Sequence, residues 1–207
     1  RFDEANNIKW TNMLRAEGIK VVSGVPGLKV HSKLTLIRRD EGKEKLVDYC
    51  VVGTGNYHEG TAKIYTDYHL LTSKKQITKE VRKVFTFIES PYKQYNYKHL
   101  LVSPNSTREG IFALIDREIA HARAGREAKF WVKINSVSDH EMIAKLYEAS
   151  ASGVSIRMIV RGINCIDFSN KALSGTIEAI SIVDRFLEHT RAFCFHNNGQ
   201  SEYYISS

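Results

Sequence analysis

Two short runs far apart in the chain follow one plan. Val30-His31-Ser32-Lys33-Leu34-Thr35-Leu36-Ile37 alternates two sets of side chains, and Glu188-His189-Thr190-Arg191-Ala192-Phe193-Cys194-Phe195 again sets a histidine and a cation two residues apart. Each run reaches a turn signal, Asp40-Glu41-Gly42 in the first and Asn197-Asn198-Gly199 in the second. Each turn leads into a further strand-like run, residues 46–52 and 203–207. A side-chain period of two with Gly and Asn turns is the pattern of paired strands. The repeated H-x-[K/R] unit predicts two similar lobes facing one site.

The same period assigns a chemistry. On one strand it puts His31 and Lys33 on a common face, with Cα atoms about 6.5–7 Å apart. A neutral imidazole can attack phosphorus while a neighbouring ammonium holds the phosphoryl oxygens, so the pair suits phosphoryl transfer through a histidine intermediate. Gly53-Thr54-Gly55-Asn56 closes the following strand. Its glycines permit close backbone approach, and the Asn56 amide can orient a histidine or a phosphoryl oxygen. Arg161 ends the apolar run 156–160 just before Gly162. A cation at the C-terminal end of a strand in an α/β sheet points toward the usual ligand crevice.

Further along the chain, strands alternate with helices. Residues 3–17 read as a helix stopped by Gly18, residues 19–22 as a strand and residues 66–72 as another. Ile77, Val81, Val84, Phe85 and Ile88 carry the spacing of an amphipathic helix that Pro91 ends. The stretch 91–99 has no apolar period and reads as a linker between a first lobe, 1–90, and a second, 100–207. In the second lobe residues 100–103 are strand-like, and Ser106 with Glu109 forms a capping box ahead of a helix. Strand 129–134, helix 138–150, strand 155–160 and a closing strand pair from about 192 complete the pattern. The alternation predicts α/β layers, not a helical bundle.

These motifs, together with Arg1-Phe2-Asp3-Glu4, Ile64-Tyr65-Thr66-Asp67-Tyr68, Val160-Arg161-Gly162 and Ser181-Ile182-Val183-Asp184-Arg185-Phe186-Leu187-Glu188-His189, resemble the C-terminal half of the histidine-phosphorylated polyphosphate kinases. The two C-terminal domains of that family are similar to phospholipase D. The resemblance runs from the first residue almost to the last, and it implies two phospholipase D-like α/β lobes, both truncated. It implies reversible transfer of the terminal phosphoryl of ATP to polyphosphate through a phosphohistidine at His31. His189 is then the second essential histidine, exchanging protons with the phosphates. Arg1, Lys33, Asn56, Arg161 and Arg191 contact phosphate, and Tyr65 lies near the nucleotide. Magnesium enters with ATP on the phosphates, with Arg1 beside those magnesium-bearing phosphates and not itself a ligand. For Glu188 the residues leave open a reading in which it points away from the site and holds only solvent. ATP, ADP and polyphosphate are the expected partners and nucleic acid is not; peripheral membrane association and a homo-oligomer are implied for the longer protein.

One departure bears on the reaction. Phospholipase D enzymes carry H-x-K-x-x-x-x-D, whereas the position five beyond Lys33 is Arg38. That weighs against the first alternative, a phosphodiesterase or nuclease. The second alternative is a non-catalytic polyanion-binding module, which the charge alone would support. The 207 residues carry 30 Lys and Arg against 23 Asp and Glu, a net charge of +7, and that balance favours polyanionic partners without choosing among them. No apolar run approaches the roughly 20 residues of a membrane span. Cys50, Cys165 and Cys194 lack C-x-x-C spacing and read as reduced thiols of a cytosolic protein. The first residue is not Met and the last lies in a strand-like run, so a fragment is expected.

Overall fold

A computed structural model describes residues 4–42, 45–93 and 95–207. It is mixed α/β, as the alternating pattern predicts, and holds two separate sheets. The first is an antiparallel meander of β1 (Lys33–Asp40), β2 (Leu46–Gly53) and β3 (His69–Thr72). Helix α1 (Glu4–Ala16) precedes it, and a single turn, α2 (Glu59–Ala62), lies between β2 and β3. Helix α3 (Lys75–Glu89) comes next and packs on β1 and β2, burying Val81 and Val84 with Cys50 of β2. Of the apolar spacing read from the sequence, Val81 and Val84 are buried and Ile77 and Ile88 half-buried, while Phe85 is exposed.

The second sheet takes the order β6-β5-β4-β7-β8. Its strands are β4 (Lys129–Ile134), β5 (Ser155–Val160), β6 (Ile177–Ile180), β7 (Arg191–Phe195) and β8 (Glu202–Ser206). β4, β5 and β6 are parallel, while β7 returns antiparallel to β4 and β8 antiparallel to β7. Helices α4 (Thr107–Arg123) and α5 (His140–Ala151) pack on each other and, from one side, on the sheet. Alternation decides which side is buried: Ile156, Met158 and Val160 of β5 join Phe130 and Val132 of β4 and Ile111, Ile115 and Leu146 of the helices in one core. A last short helix, α6 (Lys171–Ser174), leads into β6. The turn Asn197-Asn198-Gly199 places all three residues at positive φ, which Asn and Gly tolerate, and so lets β8 return beside β7.

Several sequence expectations fail locally. β1 begins at Lys33, because its partner β2 ends at the Lys33–Gly53 pair and leaves residues 30–32 without a ladder. Residues 19–22 and 100–103 form no strand, having no neighbour to pair with. The second of these segments is instead tied down by Glu80 of α3, whose buried carboxylate accepts the backbone N–H groups of Lys98, His99 and Leu100. Ser106 caps nothing with its side chain; its hydroxyl accepts from Val102 N–H. The strand expected over 66–72 begins only at His69, and its first residues bond elsewhere. β6 has no counterpart among the strands that the sequence pattern predicts.

Candidate active site

Residues 64–67, on the approach to β3, pair with 187–190, on the approach to β7. Leu187 N–H donates to Ile64 O at 2.9 Å, Thr66 N–H to Leu187 O at 2.9 Å and Thr190 N–H to Thr66 O at 3.0 Å. The Thr66 and Thr190 hydroxyls double this ladder by donating to Leu187 O and Thr66 O. The two sheets are stitched together at this point, and the stitch sets Asp67 beside His189.

The buried His189, 7% exposed, has Nδ1 2.9 Å from Asp67 Oδ1 and 3.1 Å from Oδ2. The chain of donors behind it fixes the tautomer. Tyr68 N–H donates to Thr54 Oγ1 at 3.0 Å, and the Thr54 hydroxyl donates in turn to Asp67 Oδ1 at 2.6 Å. An ionised Asp67 only accepts, so His189 meets it with Nδ1–H and keeps Nε2 for chemistry. Gly55 is required here, since a Cβ at that position would lie 2.5 Å from the Asp67 carboxylate. The Tyr65 ring packs 4.9 Å from the His189 ring, centroid to centroid.

His31 lies just ahead of β1, exposed, with Lys33 buried behind it at 7% exposure. The Lys33 ammonium is 3.1 Å from Nδ1 and 3.2 Å from Nε2 of His31 and donates to the His31 carbonyl at 2.7 Å. The Ser207 hydroxyl, beyond β8, donates to the same carbonyl at 3.2 Å and forms a second link between the two sheets. Partial burial, then the charges of Lys33, Arg191 and Lys29, hold His31 below the ordinary imidazole value, which favours the neutral ring. Burial and then Arg191 push Lys33 down, with Asp67 opposing. Burial and then Arg161 push Arg191 down, again against Asp67. These mutual influences place His31, Lys33, Arg191, Arg161 and Asp67 in one electrostatic neighbourhood.

The cations of this neighbourhood differ from the rest of the surface. Arg38 pairs with Asp48, Arg108 with Asp139 and Arg117 with Glu202. Among the described residues Lys33, Arg161 and Arg191 form no ion pair with a carboxylate, and Arg161 Nε and Arg191 Nη1 are buried without a hydrogen-bond partner. Like charges gathered without carboxylate partners repel one another and lack solvation, and an incoming anion relieves both costs. A cavity of about 740 Å³ opens beside His31 and Lys33, with His99, Phe87 and Ile88 on its walls.

Other expected residues fall differently. Asn56 is exposed, and its side chain makes no hydrogen bond among the described residues. Glu188 does not face solvent alone: it forms a close ion pair with Lys133 of β4 and accepts from Thr66 Oγ1 at 3.3 Å. Arg1 lies outside the described residues. Sequence reading missed Asp67, Thr54 and Gly55 as a unit and missed Lys133. Asp67 stands in the run Ile64–Tyr68, but nothing local shows that its partner lies 122 positions away. Among the described residues no group of three or more His, Cys, Asp or Glu side chains could hold a metal, and no helix is long and apolar enough to cross a membrane.

The fold is that of a mixed α/β protein whose two sheets meet beside His189, with a cluster of cations that form no carboxylate ion pair among the described residues. Residues 1–94 match the family "Polyphosphate kinase C-terminal domain 1" and residues 100–207 match "Polyphosphate kinase C-terminal domain 2". The chain belongs to the polyphosphate kinase family. It is 49% identical to a polyphosphate kinase of Vibrio cholerae and 48% identical to one of Yersinia pestis, each over all of this chain and 29% and 30% of the relative. The crystal structure of polyphosphate kinase from Porphyromonas gingivalis superposes with a TM-score of 0.89 at 38% identity, over 100% of this chain and 34% of that one. The chain thus spans about a third or less of the proteins it matches.

Proposed function

We propose that this chain forms the phosphoryl-transfer centre of an ATP:polyphosphate phosphotransferase, its two lobes being 1–90 and 100–207 about the linker 91–99. The observation that carries the reading is the set of cations that form no carboxylate ion pair among the described residues, Lys33, Arg161 and Arg191, around a neutral-favoured His31 and a His189 held at Nδ1 by Asp67. A lone pair of the His31 imidazole attacks the terminal phosphorus of ATP. The bond from that phosphorus to the bridging oxygen breaks, and ADP leaves with the electron pair. The phosphoryl group then passes to a terminal oxygen of the polyphosphate chain, the P–N bond breaks and the imidazole is regenerated. Phosphoryl transfer asks for alignment and charge neutralisation more than for covalent machinery, and Lys33, Arg161 and Arg191 supply the charge. His189 Nε2 exchanges protons with the phosphate oxygens.

Tyr65 is assigned to the nucleotide side, and Asn56 and Arg1 to the phosphates. Asp67 is committed to Thr54 and His189, and among the described residues no group of carboxylates could hold a metal, so magnesium would be carried on the nucleotide phosphates. The test is synthesis by a full-length polyphosphate kinase carrying this segment, wild type and Lys33→Met. A lost transition-state charge contact costs on the order of 3 kcal/mol, about a hundredfold in rate. ATP-dependent polyphosphate synthesis that falls about a hundredfold in Lys33→Met, at unchanged melting temperature, supports the reading. ATP-independent cleavage of phosphodiesters by the wild type would replace it with the phosphodiesterase.

A further inference from the structure

The parallel pairing of β4 and β5 continues past both strands. Ile134 lies beside Val160, Gly162 N–H donates to Asn135 O at 2.7 Å, and Val137 N–H donates to Ile163 O at 2.8 Å. A Cβ at Gly162 would stand 2.8 Å from Asn135 O, so the two backbones touch as closely as glycine allows. This fixes the backbone of Asn135 beside that of Arg161. Val160 is buried in the core, so strand alternation turns the next pair, Asn135 and Arg161, together onto the opposite face. On the other flank Lys133 lies opposite Ala192 of β7, which brings Asn135 level with Thr190.

Asn135 Oδ1 is buried and has no hydrogen-bond partner, as are Arg161 Nε and Arg191 Nη1. A buried carboxamide oxygen without a donor is a cost that a purely structural asparagine avoids. A carboxamide is at once acceptor and donor, and its terminal torsion turns easily between two states. Turned over, it presents N–H where Oδ1 now stands, a neutral donor one register position across from Arg161.

We propose that Asn135 is a further ligand-contacting residue of this site, its carboxamide donating to a phosphoryl oxygen held by Arg161. The proposal rests on the reading of this site as a phosphoryl-transfer centre. It takes the chemistry common to the triphosphate of ATP and to a polyphosphate chain, and the test separates the two sources.

A full-length polyphosphate kinase carrying this segment is compared with its Asn135→Ala, Asn135→Asp and His31→Ala variants by steady-state kinetics, thermal unfolding and calorimetric titration with tripolyphosphate. Loss of one hydrogen bond to a charged group weakens binding about tenfold, so Asn135→Ala is expected to raise KM by that factor with kcat within about threefold. A KM that moves for ATP assigns the contact to the nucleotide, and one that moves for polyphosphate assigns it to the chain. Asn135→Asp keeps the shape but sets a carboxylate where the anion binds, and is expected to weaken tripolyphosphate further at unchanged melting temperature. Wild-type KM values and tripolyphosphate affinity in both variants overturn the proposal, as does a loss confined to melting temperature. Full phosphoenzyme labelling of His31→Ala would instead overturn the phosphohistidine assignment, and the tripolyphosphate titration would still decide the role of Asn135.

Discussion

Replacing Asp67 by Asn changes one atom's chemistry and no shape, and the hydrogen-bond chain behind His189 carries that change to the imidazole. Asp67 accepts at 2.6 Å from Thr54 and at 2.9 Å from His189 Nδ1. Asn brings an N–H₂ group into a position where both neighbours donate. If that group faces His189, Nδ1 must accept, the ring proton moves to Nε2, and the lone pair prepared for the phosphates is gone. Hydrogen bonds to a charged partner contribute about 1.5–3 kcal/mol. Expressed in the barrier, that is about a 10- to 150-fold loss of kcat. KM for ATP should stay within about threefold, because Lys33, Arg161 and Arg191 are untouched. The assay is steady-state polyphosphate synthesis by a full-length polyphosphate kinase carrying this segment, with melting temperature measured alongside. A kcat within about twofold of wild type would refute the claim that Asp67 sets the His189 tautomer. So would a loss of melting temperature with unchanged kcat.

Three further outcomes are expected in the same protein. Gly55→Ala drives a methyl to 2.5 Å from the Asp67 carboxylate and should reproduce the kcat loss of Asp67→Asn; wild-type kcat would show that the carboxylate can retreat without consequence. His31→Ala should abolish incorporation of label from ATP, while His189→Ala slows turnover and still takes label; full labelling of His31→Ala would remove the nucleophile assignment. By NMR titration His31 should protonate below the ordinary imidazole value, since burial and nearby cations disfavour its charged form. Removing a positive neighbour with Lys33→Met should raise that midpoint, so the acid limb of phosphoenzyme formation moves to higher pH. A midpoint that falls or stays fixed would contradict the Lys33–His31 coupling.

Much of the fold is legible in the sequence because it rests on local pattern. The alternation of β5 names its buried side, and the spacing of α3 names the face that carries Val81 and Val84. The H-x-[K/R] pairs are legible in the same way, although His31 and His189 each precede their strand. What the sequence hides is every relation made across the chain. Thr66 and Asp67 look like the start of β3, yet their partners lie among residues 187–190, on the approach to the second sheet. Asp67 supplies a carboxylate to the site even though Arg38 occupies the place where a phospholipase D motif would put one. Glu188 and Lys133, and Glu80 with the linker backbone, are likewise long-range pairs that no spacing rule announces. Asn56 shows the converse: a suggestive motif position whose side chain the fold leaves exposed.

The central claim is that a phosphoryl group rides on His31. Its most direct test is to mix a full-length polyphosphate kinase carrying this segment with labelled ATP, quench in base and map the modified peptide by mass spectrometry. The account predicts a base-stable, acid-labile phosphate on the peptide containing His31, chased off by ADP or by polyphosphate. Label on another residue, or polyphosphate synthesis with no phosphoenzyme at any time, would contradict it.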